Sequence, residues 1–346
     1  MQIVAITGSI ATDHLMRFPG RFADQIVADK LATVSLSFLV DDLVVRRGGV
    51  AANIAYGMGQ LGRRPVVVGA VGLDFAEYRA WLERHGVDCD HVQVSNSAHT
   101  ARFVCTTDEV MCQIASFYPG AMREAASIDL AAVARRTGRP DLVVIGTDDP
   151  AAMLRHAATC RREGWRFAAD PSQQLAVMPG EDVLECIRGA EYLLTNEYEA
   201  HLLASKTGLS QEALADLVDV RVTTLGERGV HITERGCAPR HVPAVVVSEP
   251  VDPTGVGDAF RAGFFTGLAW GLSLREAAQV GCLLAAYTLE TDGAQEYVVE
   301  PDLFCARLAV TYGDADAIRV RDAWTGSSPR QTPDLVGGRH EQAGVA

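Results

Sequence analysis

The stretch Asp252-Pro-Thr-Gly-Val-Gly-Asp-Ala-Phe260 decides how this sequence of 346 residues is interpreted. The apolar run from Arg261 to Leu272 follows it directly and is typical of a buried helix. Glycines let backbone N–H groups approach an anion closely, and a helix N-terminus adds about half a positive charge. We therefore predict an anion hole for a phosphoryl group at the N–H groups near Gly255, Val256 and Gly257.

Asp258 falls in the first turn of that helix, beside the predicted anion hole. One interpretation is a helix-capping carboxylate, because Asp is common at helix N-termini. The other is a general base that accepts the proton of an attacking hydroxyl. The preceding Asp252-Pro-Thr254 favours the second interpretation.

Outside this stretch, short β-branched runs alternate with longer amphipathic segments. Strands are predicted at Ile3–Thr7, Pro65–Val71, Leu142–Gly146, Phe167–Asp170, Tyr192–Thr195 and Val220–Leu225. Helices are predicted at Ala51–Leu61, Phe75–His85, Pro150–Glu163, Glu181–Arg188, Glu197–Ala204, Asp258–Trp270 and Leu274–Leu289. This alternation predicts an α/β fold, a doubly wound and mostly parallel sheet with helices on both faces.

Two stretches, Leu31–Arg47 and His99–Tyr118, have strand character without a helical pattern. We predict that they pair in a small sheet, with a hairpin around Thr107–Glu109, which covers the ligand crevice as a lid. The alternative is that they are edge strands of the main sheet. The prediction is one α/β domain over residues 1–320, with lid strands from about 13–18, 31–47 and 99–118. The polar segment 321–346 is predicted to be a disordered tail.

The composition excludes some classes of partner. With 31 basic and 44 acidic residues the net charge is −13, which argues against nucleic acid as a main partner. The apolar runs are shorter than the ~18 residues that a membrane-spanning helix needs. Eight scattered cysteines without a CxxC pair or a signal peptide predict reduced thiols in a cytoplasmic protein.

Four motifs together resemble the signatures of the ribokinase-like, or PfkB, family of sugar and nucleoside kinases. In chain order they are Gly48-Gly49 with Asn53, Asn196-Glu197-Tyr198-Glu199, Thr223–Gly229 and Asp252–Asp258. The resemblance covers residues 2 to about 312. It implies a ribokinase-like fold with a β-sheet lid and phosphorylation of a hydroxyl by ATP with Mg²⁺. It also implies a monovalent cation such as K⁺ beside Asp252.

The same resemblance implies roles for individual residues. Asp258 would be the base, and the substrate would be bound by Ser9, Asp13, Ser37, Gly49, Asn53, Phe103, Phe117 and Gln173. Asp13, Asn53 and Gly49 would hold the ribose hydroxyls, and the two phenylalanines would stack on a base. ATP would be bound by Asn196, Glu199, Thr224, Gly226 and Gly229, with Glu199 reaching Mg²⁺ through water.

Most of these residues also have a structural interpretation. Asp13 is then a turn residue and the two phenylalanines are core. Asn196 with Glu199 then caps a helix, and Gly226–Gly229 is a hairpin turn.

Within the family, stretches such as TGSIATDHLMRFPGRF at 7–22 and DPSQQLA at 170–176 resemble mycobacterial-type adenosine kinases. They imply phosphorylation of the adenosine 5′-hydroxyl to AMP, as in purine salvage, and a homodimer built through the lid. The alternatives are a ribokinase, a fructokinase or an inosine or guanosine kinase, and then a non-catalytic nucleoside-binding scaffold. A nicotinamide oxidoreductase is disfavoured because the first βα turn, Gly8–Ala11, lacks G-x-G-x-x-G.

Overall fold

Strands and helices alternate along most of the computed structural model, which describes residues 1, 3–26, 33 and 35–327. The strands are β1 (Val4–Thr7), β2 (Ala11–Arg17), β3 (Asp42–Gly48), β4 (Val66–Val68), β5 (Ala70–Val71), β6 (Gln93–Val94), β7 (Ala101–Thr107), β8 (Gln113–Tyr118), β9 (Leu142–Ile145), β10 (Phe167–Ala169), β11 (Tyr192–Asn196), β12 (Val220–Thr224), β13 (Val230–Glu234) and β14 (Arg240–Val242). The α-helices are α1 (Phe22–Gln25), α2 (Val50–Gln60), α3 (Ala76–Arg84), α4 (Leu130–Thr137), α5 (Pro150–Glu163), α6 (Gly180–Ile187), α7 (Glu197–Thr207), α8 (Gln211–Ala215), α9 (Val256–Ala269), α10 (Leu274–Leu289), α11 (Pro301–Tyr312) and α12 (Asp314–Ser327).

The central sheet has eight strands in the order β14-β13-β12-β11-β10-β9-β1-β4. Six neighbouring strands of this sheet are parallel, namely β12, β11, β10, β9, β1 and β4. Strands β13 and β14 add an antiparallel edge. Apolar side chains from both faces of the sheet are buried under helices, and Leu142–Ile145 is completely buried. The predicted doubly wound fold is confirmed. Its parallel strands all end at one edge, where loops form a crevice.

The lid is a second sheet of four strands in the order β3-β2-β7-β8. The predicted hairpin is confirmed, because β7 and β8 pair antiparallel. The two predicted lid stretches, however, do not pair with each other. Strand β2 lies between them, antiparallel to β3 and parallel to β7.

The first predicted lid stretch, Leu31–Arg47, is also shorter in the structure than in the prediction. Strand β3 begins only at Asp42, and residues 35–41 form no strand. Phe38 in that segment is held instead in a ring cluster, 4.9 Å from Phe18 and 5.3 Å from Phe22 between centroids. Residues 31, 32 and 34 of the predicted stretch lie outside the described residues.

The C-terminal helix α12 continues the domain to Ser327, past the predicted boundary at residue 320. Val320 is completely buried, and the Trp324 ring stacks on Trp270 with centroids 5.0 Å apart. These two apolar side chains are one helical turn apart in a polar segment, so composition alone did not reveal them. The remainder of the predicted tail, residues 328–346, lies outside the described residues.

Within the described part of the chain, no helix is both long and apolar enough to cross a bilayer. The eight cysteines are free thiols, and six of them are buried.

Candidate active site

The N-terminus of α9 lies at the crevice, and the residue that precedes the helix, Gly255, has a φ of +76°. A Cβ at Gly255 would lie 2.4 Å from the Cβ of Ala294, so both the backbone conformation and the space require glycine. No side chain from the described residues caps this helix, and first-turn N–H groups have no partner within a helix. Val256 N–H makes a long 3.4 Å bond to Pro253 O. This geometry suits the predicted anion hole.

Asp258 is half-buried in the first turn of α9, and its Oδ2 accepts a 2.8 Å hydrogen bond from Asn53 Nδ2. Burial raises the pKa of Asp258 to about 6, while the Arg261 charge and the Asn53 bond lower it. Asp170 and Glu199 raise this pKa further. The carboxylate is therefore ionised at neutral pH, yet its pKa is close enough to accept a proton efficiently.

A buried ion pair supports this end of α9. Arg261 forms a bidentate pair with Asp170, in which Arg261 Nη2 lies 2.6 Å from Asp170 Oδ1. Arg261 Nη1 also donates to Gly257 O at 3.0 Å. This pair was not predicted from the sequence. Its signals were a single Arg within an apolar helix and an Asp at the carboxyl end of a strand.

The predicted ribose-binding residues lie at the Gly48-Gly49 turn, and Asn53 joins this turn to Asp258. Asp13 is in β2, and a Cβ at Gly48 would lie 2.9 Å from Asp13 Oδ2, so the carboxylate lies against the Gly48-Gly49 turn. Gly49 has a φ of +94°, and a Cβ there would lie 2.6 Å from Ala11 N. Burial, and secondarily the Asp252 charge, raise the pKa of Asp13 to about 6. The structure thus brings the two carboxylates, the glycine turn and Asn53 to one crevice.

The two predicted aromatic residues face each other across the lid hairpin. Phe103 pairs directly with Phe117, and Asp13 pairs with Phe103 on the other side. Cross-strand partners project from the same face, so both rings share the face of Asp13. Phe117 is 50% exposed, so it is not a core residue.

The predicted ATP-binding residues have structural roles that the sequence left open. Asn196 and Glu199 form a capping box at α7, with hydrogen bonds of 2.8 and 2.7 Å. Thr224 ends β12, and Gly226 and Gly229 form the turn into β13. Glu199 Oε1 also accepts a 3.2 Å bond from the Ser172 hydroxyl. All of these residues lie at the carboxyl edge of the central sheet.

Of three other predicted substrate-binding residues, two make hydrogen bonds within the protein and one is exposed. Ser9 Oγ accepts a 3.0 Å bond from Val50 N and so caps α2. Gln173 Oε1 accepts bonds from the hydroxyls of Thr147 at 3.2 Å and Ser172 at 2.8 Å. Ser37 is exposed in segment 35–41. Among the described residues, no hydrogen bond links Ser37 to Asn53 or to Asp258.

Two residues of the crevice gave no signal in the sequence. Gln295 Nε2 donates to Asn53 Oδ1 at 2.8 Å and to Tyr78 Oη at 2.5 Å. Tyr78 Oη donates in turn to Gly48 O at 2.9 Å. The two contacts of Gln295 join residues more than 200 positions apart, so no local sequence pattern indicates them.

The residues present fit Mg²⁺ held mainly through water and phosphate oxygens. Among the described residues, no group of three or more His, Cys, Asp and Glu side chains forms a metal cage. Asp258 and Glu199 nevertheless offer the carboxylate oxygens that Mg²⁺ prefers, and this cation usually keeps several waters. Asp252 accepts bonds from Thr254 N at 2.8 Å and Gly293 N at 3.1 Å, which ties the anion-hole loop to the segment after α10.

Comparison with known proteins gives consistent results. The model of the pfkB family carbohydrate kinases matches residues 10–301. A nucleoside kinase of Methanothermobacter thermautotrophicus is 29% identical over 269 residues, which cover 77% of this chain and 85% of that protein. A ribokinase of Lactococcus lactis is 25% identical over 307 residues, which cover 85% of this chain and 93% of that protein.

A solved structure is also similar. The nucleoside kinase of Burkholderia thailandensis in complex with inosine has a TM-score of 0.78 and 32% identity, covering 90% of this chain and 98% of that one. The same protein was also solved in complex with ADP-inosine, at 33% identity and a TM-score of 0.76. These relatives support the family and not the narrower assignment to mycobacterial-type adenosine kinases.

Proposed function

The chain belongs to the pfkB family of carbohydrate kinases, and we propose that within this family it is a purine nucleoside kinase that phosphorylates the 5′-hydroxyl of adenosine. The observation that carries the proposal is the Phe103–Phe117 pair on the lid face that also bears Asp13. A purine base has a flat surface on which the two phenylalanine rings can stack, whereas a free sugar has none. Inosine is the second candidate acceptor, because the similar Burkholderia thailandensis kinase was solved in complex with inosine.

In the proposed reaction, Asp258 accepts the proton of the 5′-hydroxyl while the oxygen of that hydroxyl bonds to the γ-phosphorus of ATP. The bond from that phosphorus to the β,γ-bridging oxygen breaks, and ADP leaves with the electron pair. The N–H groups at Gly255 and Gly257 hold charge that develops on the transferred phosphoryl oxygens. Asn53 keeps the carboxylate of Asp258 in place through its 2.8 Å bond.

The acceptor and the donor would be held by separate groups. Asp13, Asn53 and Gly49 would bind the ribose, with Gln173 as a further polar contact. The adenine and phosphates of ATP would lie along Asn196, Glu199, Thr224, Gly226 and Gly229. Mg²⁺ bound near Glu199 and Asp258 would neutralise phosphate charge, and K⁺ near Asp252 would stabilise the anion-hole loop.

An assay of ADP release with Mg-ATP tests the proposed acceptor. We expect turnover with adenosine, less with inosine and guanosine, and none with ribose or fructose. Phe117→Ala should raise the KM for the nucleoside roughly tenfold, because stacking on a base is worth about 1–3 kcal/mol. Phe38→Ala, a ring of the Phe18–Phe22 cluster, is the matched control. Turnover with a free sugar alone would keep the kinase family and overturn the nucleoside assignment.

We also propose that the chain forms a homodimer through the outer face of the lid. Leu43, Val45 and Ile114 are exposed there. The strand register places their side chains on the face opposite Asp13. Strands β3 and β8 are also edge strands, and such edges tend to pair.

Light scattering after gel filtration should give twice the chain mass of 37.1 kDa. Val45→Asp should halve it, and Val310→Asp on α11 should not change it. A monomeric wild type would reject the dimer.

A further inference from the structure

Gln295 lies at the centre of a buried hydrogen-bond chain that joins the glycine turn of the lid to Asp258. The chain runs from Gly48 O through Tyr78 Oη to Gln295 Nε2, and from there through Asn53 to Asp258. Gln295 itself is buried, and it follows α10 in a segment that contacts the anion-hole loop.

The direction of each hydrogen bond in this chain is fixed by the number of available protons. Tyr78 has one hydroxyl proton, and it goes to the carbonyl oxygen of Gly48. Gln295 must therefore present its nitrogen to Tyr78, and this nitrogen carries a second proton for Asn53 Oδ1. Once Oδ1 of Asn53 accepts that bond, its Nδ2 has to face Asp258. The amide of Gln295 thus selects which end of the Asn53 amide meets the carboxylate.

The opposite orientation of Asn53 would place an amide oxygen against an ionised carboxylate, which is a repulsive contact. The other charged groups around Asp258 do not select the orientation of this amide. Arg261 is paired with Asp170, and Glu199 is held by Asn196 and Ser172. Asp258 depends on Asn53 for the side-chain hydrogen bond that holds its Oδ2.

A role in packing alone does not explain a glutamine here. Gln295 Oε1 is buried and accepts no hydrogen bond from any residue that the structure describes. A buried acceptor without a partner is costly, and an apolar side chain would avoid that cost. The donor nitrogen is therefore the group that the site uses.

We propose that Gln295 is a positioning residue, which orients the Asn53 amide so that it donates to Asp258. This inference rests on the proposed function only in that Asp258 acts as the base. Any acceptor that the wild type phosphorylates can serve for the measurement.

Two substitutions separate the donor role from size. Gln295→Met keeps the volume without polar atoms, and Gln295→Glu keeps the shape but replaces the donor nitrogen with an oxygen. We expect kcat to fall about tenfold with Met and further with Glu, with KM for ATP within twofold. Combined with Asn53→Ala, Gln295→Met should lower kcat no further. The control is Gln279→Met, because Gln279 is equally buried and donates to Asp316 at 2.7 Å, outside the crevice.

Each outcome has a distinct meaning. If Gln295→Met and Gln295→Glu fold with the kcat of the wild type, the positioning role is wrong. Additive effects of Gln295→Met and Asn53→Ala would also reject it. If Gln295→Met does not fold, retention of the wild-type kcat by Gln295→Glu alone would overturn it. If the wild type phosphorylates only a sugar and these substitutions lower kcat as expected with that sugar, the positioning role is supported and the nucleoside proposal is refuted. A wild type that phosphorylates no acceptor would overturn both.

Discussion

Asp258→Asn is expected to lower kcat by about 10²–10⁴-fold, because the carboxylate that accepts the hydroxyl proton is lost. The amide has nearly the same shape, and its oxygen can still accept the 2.8 Å bond from Asn53. Binding of the nucleoside should therefore change little, which calorimetric titration with adenosine measures separately from turnover. Asp302→Asn is the matched control, since Asp302 is an exposed acid in the first turn of α11. A wild-type kcat for Asp258→Asn would remove Asp258 from the role of base.

The same carboxylate gives the reaction a pH dependence with a definite sign. Burial raises the pKa of Asp258 to about 6, and a base has to be ionised to act. kcat/KM should therefore fall as the pH decreases through about 6 and be level above about 7. Asp13 also has a pKa raised to about 6, so two protonations should steepen the acid limb. A profile that is flat from pH 5 to pH 8 would contradict these assignments.

Arg261→Met is expected to lower the free energy of unfolding by about 3–5 kcal/mol, because it leaves Asp170 buried without its partner. It also removes the charge that lowers the pKa of Asp258 most, so the acid limb of kcat/KM should move to higher pH. Urea titration followed by tryptophan fluorescence measures the change in stability.

Two further variants make the stability result specific to burial. Arg235→Met removes an exposed pair with Asp219 at 3.1 Å, and exposed pairs are worth about 0–1 kcal/mol. The double variant Asp170→Leu/Arg261→Met should recover much of the loss, because no uncompensated charge remains. If Arg261→Met costs no more than Arg235→Met, the buried pair does not stabilise the fold.

Much of the main sheet and the outline of the crevice could be predicted because their signals are local. The run Leu142–Ile145 is apolar at every position, as a strand covered on both faces must be. Gly255 in the anion-hole loop stands where a positive φ and the close approach of Ala294 exclude a side chain. Residues of this kind reveal their environment without knowledge of the rest of the chain.

The parts that escaped prediction depend on contacts between distant segments. Nothing in β2 alone shows that it separates β3 from β7, because its position follows from pairing on both edges. Gln295 and Tyr78 are unremarkable in sequence and acquire their meaning only when they meet Asn53. The capping box of Asn196 and Glu199 illustrates a different limit, since the structure shows the capping role while the role in ATP binding stays a prediction.

The strand order of the lid has a consequence for how specificity changes in evolution or by engineering. The lid draws β2 and β3 from one stretch of chain and β7 and β8 from another, and the two stretches interlock where β2 pairs with β7. It is therefore not a module that recombination can exchange in a single cut. Transplanting it from a relative would require two matched segments at once. New acceptor preferences should consequently arise by point substitutions on its inner face.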